Sequence, residues 1–136
     1  MKTKLLLSLA GMFILLFSTC LPVDEDVDPD DPNAKFLGTW RVNENCNRMN
    51  YDVEIVTDPG NSAQVLLYNF GNPGPGYDPA VGLVVSNTIY ISSQTIGEGW
   101  TLNNCSGTYQ SNGTIIWNYE LTIPPNNYTC SATFSK

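Results

Sequence analysis

The side chains that could do chemistry in this chain are four cysteines and 13 carboxylates, and the chain has no histidine. The commonest general base, the commonest metal ligand and the usual near-neutral pH switch are therefore missing. A serine or cysteine nucleophile would need a lysine or carboxylate partner, and Lys35 and Lys136 are too close to the ends of the folded region to suggest one. We predict that the protein is not an enzyme and has no catalytic residue.

The carboxylates follow no metal-binding or catalytic spacing. An EF-hand loop beginning at Asp24 would need glycine at its sixth position and glutamate at its twelfth, where the sequence has Pro29 and Lys35. A carboxylate pair of the glycosidase kind would have to come from side chains that we interpret as solvated. These are Glu44, Asp52, Glu54, Asp78, Glu98 and Glu120. The sequence predicts no metal site and no cofactor.

The charge is concentrated at the start of the chain. The net charge is −7 with only six basic residues, which argues against binding to nucleic acid. Residues 21–34 hold six acids, three prolines and no base, whereas residues 35–136 hold seven acids and four bases. We therefore predict a solvated acidic tether followed by a nearly neutral domain.

The first 20 residues have the pattern of an export signal. Lys2 and Lys4 precede the apolar run Leu5–Phe17, whose 13 residues are fewer than the roughly 20 that span a bilayer as a helix. The stretch from Leu16 to Cys20, Leu-Phe-Ser-Thr-Cys, resembles the lipobox of bacterial lipoproteins. This resemblance implies a signal peptide over residues 1–19, a lipid such as palmitate on Cys20, and anchoring in the outer membrane of the cell envelope. Secretion without an anchor is the alternative.

The tether comprises residues 20–34. Its acidic composition after Cys20 resembles the surface-export signal of some Gram-negative lipoproteins, which implies a domain on the cell surface. The same composition also suits a plain flexible spacer.

Residues 35–136 show the alternation of a β protein and no helical period. We predict eight strands, near residues 36–44, 50–57, 63–70, 81–86, 88–92, 105–110, 114–121 and 127–135. Tight turns are expected at Asp58–Asn61, at Ser86-Asn87 and at Asn112-Gly113, where both residues tolerate positive φ. The predicted fold is all-β, a small eight-stranded antiparallel up-and-down barrel, with a sandwich as the rival.

The sequence from Phe36 to Trp40, Phe-Leu-Gly-Thr-Trp, resembles the Gly-x-Trp signature in the first strand of lipocalin-like barrels, where the tryptophan closes one end. With the ending Cys130–Lys136, the domain resembles small bacterial lipocalin-like, or calycin-like, lipoproteins of unknown function. We expect a mostly solid core and a module that binds a protein, glycan or small ligand. The alternatives are an inhibitor of an envelope or extracellular protease and a carrier of small apolar ligands. Thirteen side chains are predicted to point inward: Trp40, Val42, Tyr51, Val53, Ile55, Val65, Leu67, Ile89, Ile91, Trp117, Tyr119, Ala132 and Phe134.

The barrel topology predicts one disulfide. The first and last strands of a closed eight-stranded barrel are neighbours, so Cys46, just after the first strand, can meet Cys130 on the last. Cys105 is separated from the last strand by a whole intervening strand, about 9.5 Å away in total, which exceeds the reach of a disulfide. We expect Cys105 to be a buried thiol, with a reactive thiol as the alternative.

Two aromatic residues are predicted as contacts on loops. Residues 71–79 form a long irregular connection that would present Tyr77, and the 93–104 segment offers Trp100. Such rings can stack on sugars or anchor a protein partner. The alternative is that both rings fold down as caps on the barrel.

Overall fold

The structure is a computed structural model that describes residues 28, 30–46 and 50–136. The leader, Cys20 and most of the tether lie outside these residues. In the described part, a short 3₁₀ helix at Ala34–Phe36 precedes nine strands. The strands are Gly38–Glu44 (β1), Asn50–Asp58 (β2), Asn61–Tyr68 (β3), Ala80–Val85 (β4), Thr88–Ile91 (β5), Gln94–Ile96 (β6), Trp100–Tyr109 (β7), Ile115–Ile123 (β8) and Asn126–Ser135 (β9).

The strands form one closed antiparallel sheet. Each of β1 to β4 pairs with the next strand along the chain, β1 also pairs with β9, and β9 is followed around the barrel by β8 and β7. Both β5 and β6 pair with β7, one after the other, and the β5–β7 pairing closes the ring. Because β5 and β6 act as one interrupted strand, the predicted eight-stranded barrel is confirmed and the sandwich is excluded.

The strand boundaries differ from the prediction in one region. The sequence did not predict β6, and β7 begins at Trp100 rather than near residue 105. Three alternating residues are too short a pattern to recognise beside the flanking glycines Gly97 and Gly99, which both have positive φ.

Two of the three predicted tight turns are present, whereas the prediction of a two-residue turn at Asn112-Gly113 is wrong. Asp58 accepts a hydrogen bond from the Gly60 N–H in the β2–β3 turn, and Ser86 has φ of 55° in the β4–β5 turn. The β7–β8 connection is longer than a two-residue hairpin turn, since the pairing stops at Tyr109 and resumes at Ile115. There only Gly113 has positive φ, while the Asn112 side chain accepts a hydrogen bond from the Thr114 N–H.

The core fills the inside of the barrel. All 13 side chains predicted to point inward are buried. Phe70 joins them from a loop and contacts the rings of Trp117, Tyr119 and Phe134, with centroid distances of 4.8, 5.1 and 6.0 Å. Aromatic rings from several sides therefore meet in the middle of the barrel, which agrees with the expected solid core.

The barrel has two ends, which we call the near end, where β1 begins, and the far end, where β1 finishes. The chain reaches the near end through Asn33, which is buried and donates a hydrogen bond to the Ser62 carbonyl (2.7 Å). There the Trp40 indole N–H donates to the Phe36 carbonyl (2.7 Å), and the Lys136 ammonium lies 4.4 Å from the indole centroid. Trp40 thus closes the near end, as the resemblance of Phe36–Trp40 to the Gly-x-Trp signature implies.

Candidate functional site

The strongest candidate for a binding site is an open cleft on the outer wall beside Tyr77. The loop between β3 and β4 leaves the far end of the barrel and lies against the outer face of β1, β2 and β3. The cleft between loop and wall has a volume of about 320 Å³. Its lining consists of Thr39, Asp52, Glu54, Tyr68, Asn69, Gly74, Pro75, Gly76 and Tyr77.

The first half of this loop is held firmly. Asn69 has a φ of 64°, and its side-chain amide donates to the Asp52 carbonyl (3.0 Å) and accepts from the Gly74 N–H (3.0 Å). The next residue, Phe70, is inserted into the core. Asn69 thus holds the start of the loop on the outer face of the barrel, and Phe70 holds it on the inner face. Together they fix the position of one side of the cleft.

The rings and charges of the cleft are open to solvent. Tyr68 and Tyr77 are each 40% exposed. Asp52 forms an exposed ion pair with Arg41 (3.1 Å), whereas Glu54 forms no ion pair with any described residue. The strand register sets Glu54 directly beside Tyr68. The cleft therefore combines two tyrosine rings with one carboxylate, Glu54, that has no ion-pair partner in the described part of the chain.

Trp100 occupies a different place. It begins β7 at the far end, opposite Ile96 in the register, and it is half-buried and packed against the core. It does not line the cleft with Tyr77. Of the two predicted loop contacts, the structure presents Tyr77 to solvent in the cleft and holds Trp100 against the barrel.

The cysteines are arranged as the barrel topology predicts. Cys46 and Cys130 form a disulfide with their Cα atoms 5.4 Å apart. Cys105 is a free buried thiol, and burial raises its pKa well above the ordinary value of 9.0. A thiol that stays protonated is a poor nucleophile, which supports the interpretation of Cys105 as a buried, inert thiol.

Glu44 is buried, although the sequence analysis predicted it to be a solvated carboxylate. It is only 4% exposed, and its carboxylate accepts hydrogen bonds from the hydroxyls of Tyr51 (3.0 Å) and Tyr119. The prediction was wrong because it treated every acid as surface charge. The strand alternation was the available signal, since Trp40, Val42 and Glu44 share the inward face of β1.

The described part of the chain has neither a metal-binding cluster nor a helix suited to span a membrane. No three cysteines or carboxylates within it gather in a group that could hold a metal ion. Nor does any helix there have the length and apolar character needed to cross a membrane. Searches of family models, curated proteins and solved structures find no match to this chain.

Proposed function

We propose that this chain is a lipid-anchored protein of the bacterial cell envelope whose barrel is a non-catalytic binding module. The observation that carries the proposal is the contrast between a filled interior and an open cleft beside Tyr77 on the outer wall. A carrier of small apolar ligands would need an apolar cavity, and Phe70 with its ring contacts occupies the middle of this barrel. Binding at the outer wall suits a partner larger than the barrel's interior.

In this proposal the tether separates the anchor from the cleft. Thirteen positions separate Cys20 from Asn33, which is attached at the near end, and an extended chain of that length reaches roughly 45 Å. The loop that carries Tyr77 begins at the far end, beyond the eight residues of β3. A tether of that reach is long enough to hold the barrel and its cleft clear of the membrane when Cys20 carries an outer-membrane lipid. The acidic tether supports display on the cell surface.

The chemistry of the cleft favours a basic side chain of a protein partner. Exposed tyrosine rings attract cations over their faces, and Tyr68 and Tyr77 both line the cleft. Glu54 adds a negative charge with no ion-pair partner among the described residues. A guanidinium or ammonium group would meet both kinds of attraction at once.

An NMR titration tests this proposal. The full chain in detergent micelles is titrated with a short arginine peptide and, separately, with the same peptide carrying neutral citrulline. We expect the arginine peptide alone to shift the amides of Glu54, Tyr68 and Tyr77, with an effect that weakens as salt rises.

Two variants complete that test. Glu54→Gln is expected to weaken binding of the arginine peptide roughly three- to tenfold, because it removes an interaction of about 1 kcal/mol. Glu98→Gln, which neutralises an exposed acid in the β6–β7 turn, is the matched control and should bind as wild type does. Equal binding of the arginine and citrulline peptides would overturn the assignment of a basic ligand.

A further inference from the structure

We propose that the outer wall carries a second binding site, distinct from the Tyr77 cleft, for a short neutral oligosaccharide. The site is an open groove where β5 breaks off and β6 begins, and we call it the seam groove. Its volume is about 640 Å³, within the roughly 300–1,000 Å³ typical of small-molecule sites. Its lining combines apolar and polar side chains and includes Cys105.

The groove exists because strand pairing is interrupted between the end of β5 and the start of β6. Ile91, the last residue of β5, pairs with Cys105, whereas Gln94, the first residue of β6, pairs with Leu102. On the other side, the Gln94 side-chain amide accepts from the Val81 N–H (2.8 Å) and donates to the Val81 carbonyl (3.0 Å). A side chain thus takes the place of a backbone strand, so the gap is a stable part of the fold.

The middle of the groove is an apolar shelf. Leu83 and Tyr90 are direct partners in the β4–β5 register and project outward together. They are 43% and 51% exposed, so Tyr90 has one of the most exposed aromatic rings in the described chain. An open tyrosine face packs well against the C–H face of a sugar ring, which is flat and weakly apolar.

Polar side chains lie on both sides of this shelf, because Gln64 on β3 pairs with Leu83 and Ser106 on β7 pairs with Tyr90. The side chains of Gln64, Ser92, Ser93 and Ser106 line the groove, and none makes a hydrogen bond to another described residue. The Asn104 side-chain amide donates a hydrogen bond to the Glu120 carboxylate (3.0 Å), and its amide oxygen remains available as an acceptor. Hydroxyls and amides that can both donate and accept match the hydroxyls of a sugar.

Three other classes of ligand fit the groove less well. None of its ten described lining residues is charged, so an ionic ligand finds no countercharge. A lipid chain would remove water from the serine and amide groups without replacing their hydrogen bonds. A peptide has little free edge to which it could add as a strand, because β5 pairs on both sides and the Gln94 side chain already occupies the Val81 N–H and carbonyl. A neutral sugar suits both the apolar shelf and the polar side chains around it.

The test titrates the full chain in detergent micelles with neutral trisaccharides, namely cellotriose, maltotriose and N-acetylchitotriose, and with a trisaccharide of uronic acids. We expect at least one neutral trisaccharide to shift the amides of Tyr90, Ser92 and Ser106 at millimolar concentration, and the uronic acid compound to shift none of them. Tyr90→Ala should weaken binding roughly tenfold through loss of stacking. Tyr128→Ala, which removes an exposed ring elsewhere on the barrel, should leave binding unchanged.

The proposal is overturned if no neutral trisaccharide shifts these amides, if the uronic acid compound binds as well, or if Tyr90→Ala binds as wild type does. An unaltered amide spectrum outside the groove shows that the Tyr90→Ala barrel is folded. A negative result in the sugar titration would not bear on the Tyr77 cleft or the lipid anchor, because arginine peptide binding and lipid labelling are measured separately.

Discussion

The Tyr119 hydroxyl donates a hydrogen bond to the Glu44 carboxylate, 75 positions earlier in the chain, inside the closed barrel. Tyr51 donates to the same carboxylate oxygen from the neighbouring strand. The three side chains join β1, β2 and β8 through polar contacts within an otherwise apolar core. Buried polar groups of this kind stabilise a fold only while each keeps its partners.

Removal of the Glu44 carboxylate should therefore destabilise the protein. Glu44→Ala leaves two buried hydroxyls without their acceptor, and we expect a loss of about 2–4 kcal/mol in the free energy of unfolding. Glu44→Gln keeps one acceptor oxygen and should cost about 1–2 kcal/mol. Urea unfolding at pH 7 measures both, with Glu98→Gln as the exposed control. Wild-type stability of Glu44→Ala would show that these hydrogen bonds contribute nothing.

Alkaline pH should weaken the same cluster. Burial, followed by the charges of the cluster, raises the pKa of Tyr51 and Tyr119 well above the ordinary value of 10.0. The unfolded chain therefore loses these protons near pH 10 while the folded chain keeps them. The contribution of the two tyrosines to the free energy of unfolding is fully present below about pH 10. Above that pH it falls by about 1.4 kcal/mol per pH unit for each tyrosine.

Urea unfolding between pH 8 and pH 11 checks this pH dependence. The Tyr119→Phe variant should show a shallower decline than wild type, and the exposed Tyr128→Phe variant should decline as wild type does. The Cys105 thiol, whose pKa is also raised by burial, adds a loss in the same direction in every variant. A stability that rises above pH 10 would contradict the prediction.

Gly107 is expected to tolerate no side chain. A Cβ atom at this position would overlap three atoms of the buried Trp117 indole. Overpacking of this kind costs about 1–3 kcal/mol, so Gly107→Ala should lower the urea midpoint. Gly60→Ala is the matched control, because the nearest atom to its Cβ is the Asp58 carboxylate oxygen at 3.4 Å. Equal stabilities of the two variants would contradict the packing described for Trp117.

The Cys46–Cys130 disulfide should contribute strongly to stability, since it closes a loop over a sequence separation of 84. The chain-entropy relation gives about 4–5 kcal/mol for a loop of this length. The double variant Cys46→Ser with Cys130→Ser should lose about that much on urea unfolding, and reductant should destabilise wild type to the same level. Cys105→Ser tests whether the effect belongs to the disulfide rather than to cysteine in general.

The sequence predicted the barrel well because its signals are local and repeated. Alternation placed residues such as Val53 and Trp117 inward, and strand neighbourhood paired Cys46 with Cys130. It missed Phe70, which is buried although it stands in a loop outside the alternating pattern. It also missed β6, which has only three residues. On the side facing β4, the Gln94 side chain bonds to Val81 in place of a backbone strand, and an alternating sequence pattern does not predict such a contact.

The candidate sites were predicted only in part for the same reason. Tyr77 stood out from its loop, but its neighbours Glu54 and Tyr68 come from two strands whose register the sequence does not specify. The seam groove depends on a gap between two strand segments, and its lining comes from β3, β4, β5 and β7. Local patterns could not bring these residues together.

Incorporation of labelled palmitate at Cys20 is the most direct measurement of the anchor on which the proposed function depends. The full chain is expressed in bacteria with the labelled lipid, beside the variants Cys20→Ala and Cys105→Ala. We predict that wild type and Cys105→Ala carry the label and sediment with membranes, and that Cys20→Ala does neither. An unlabelled wild type, or a label that persists in Cys20→Ala, would contradict the lipid anchor.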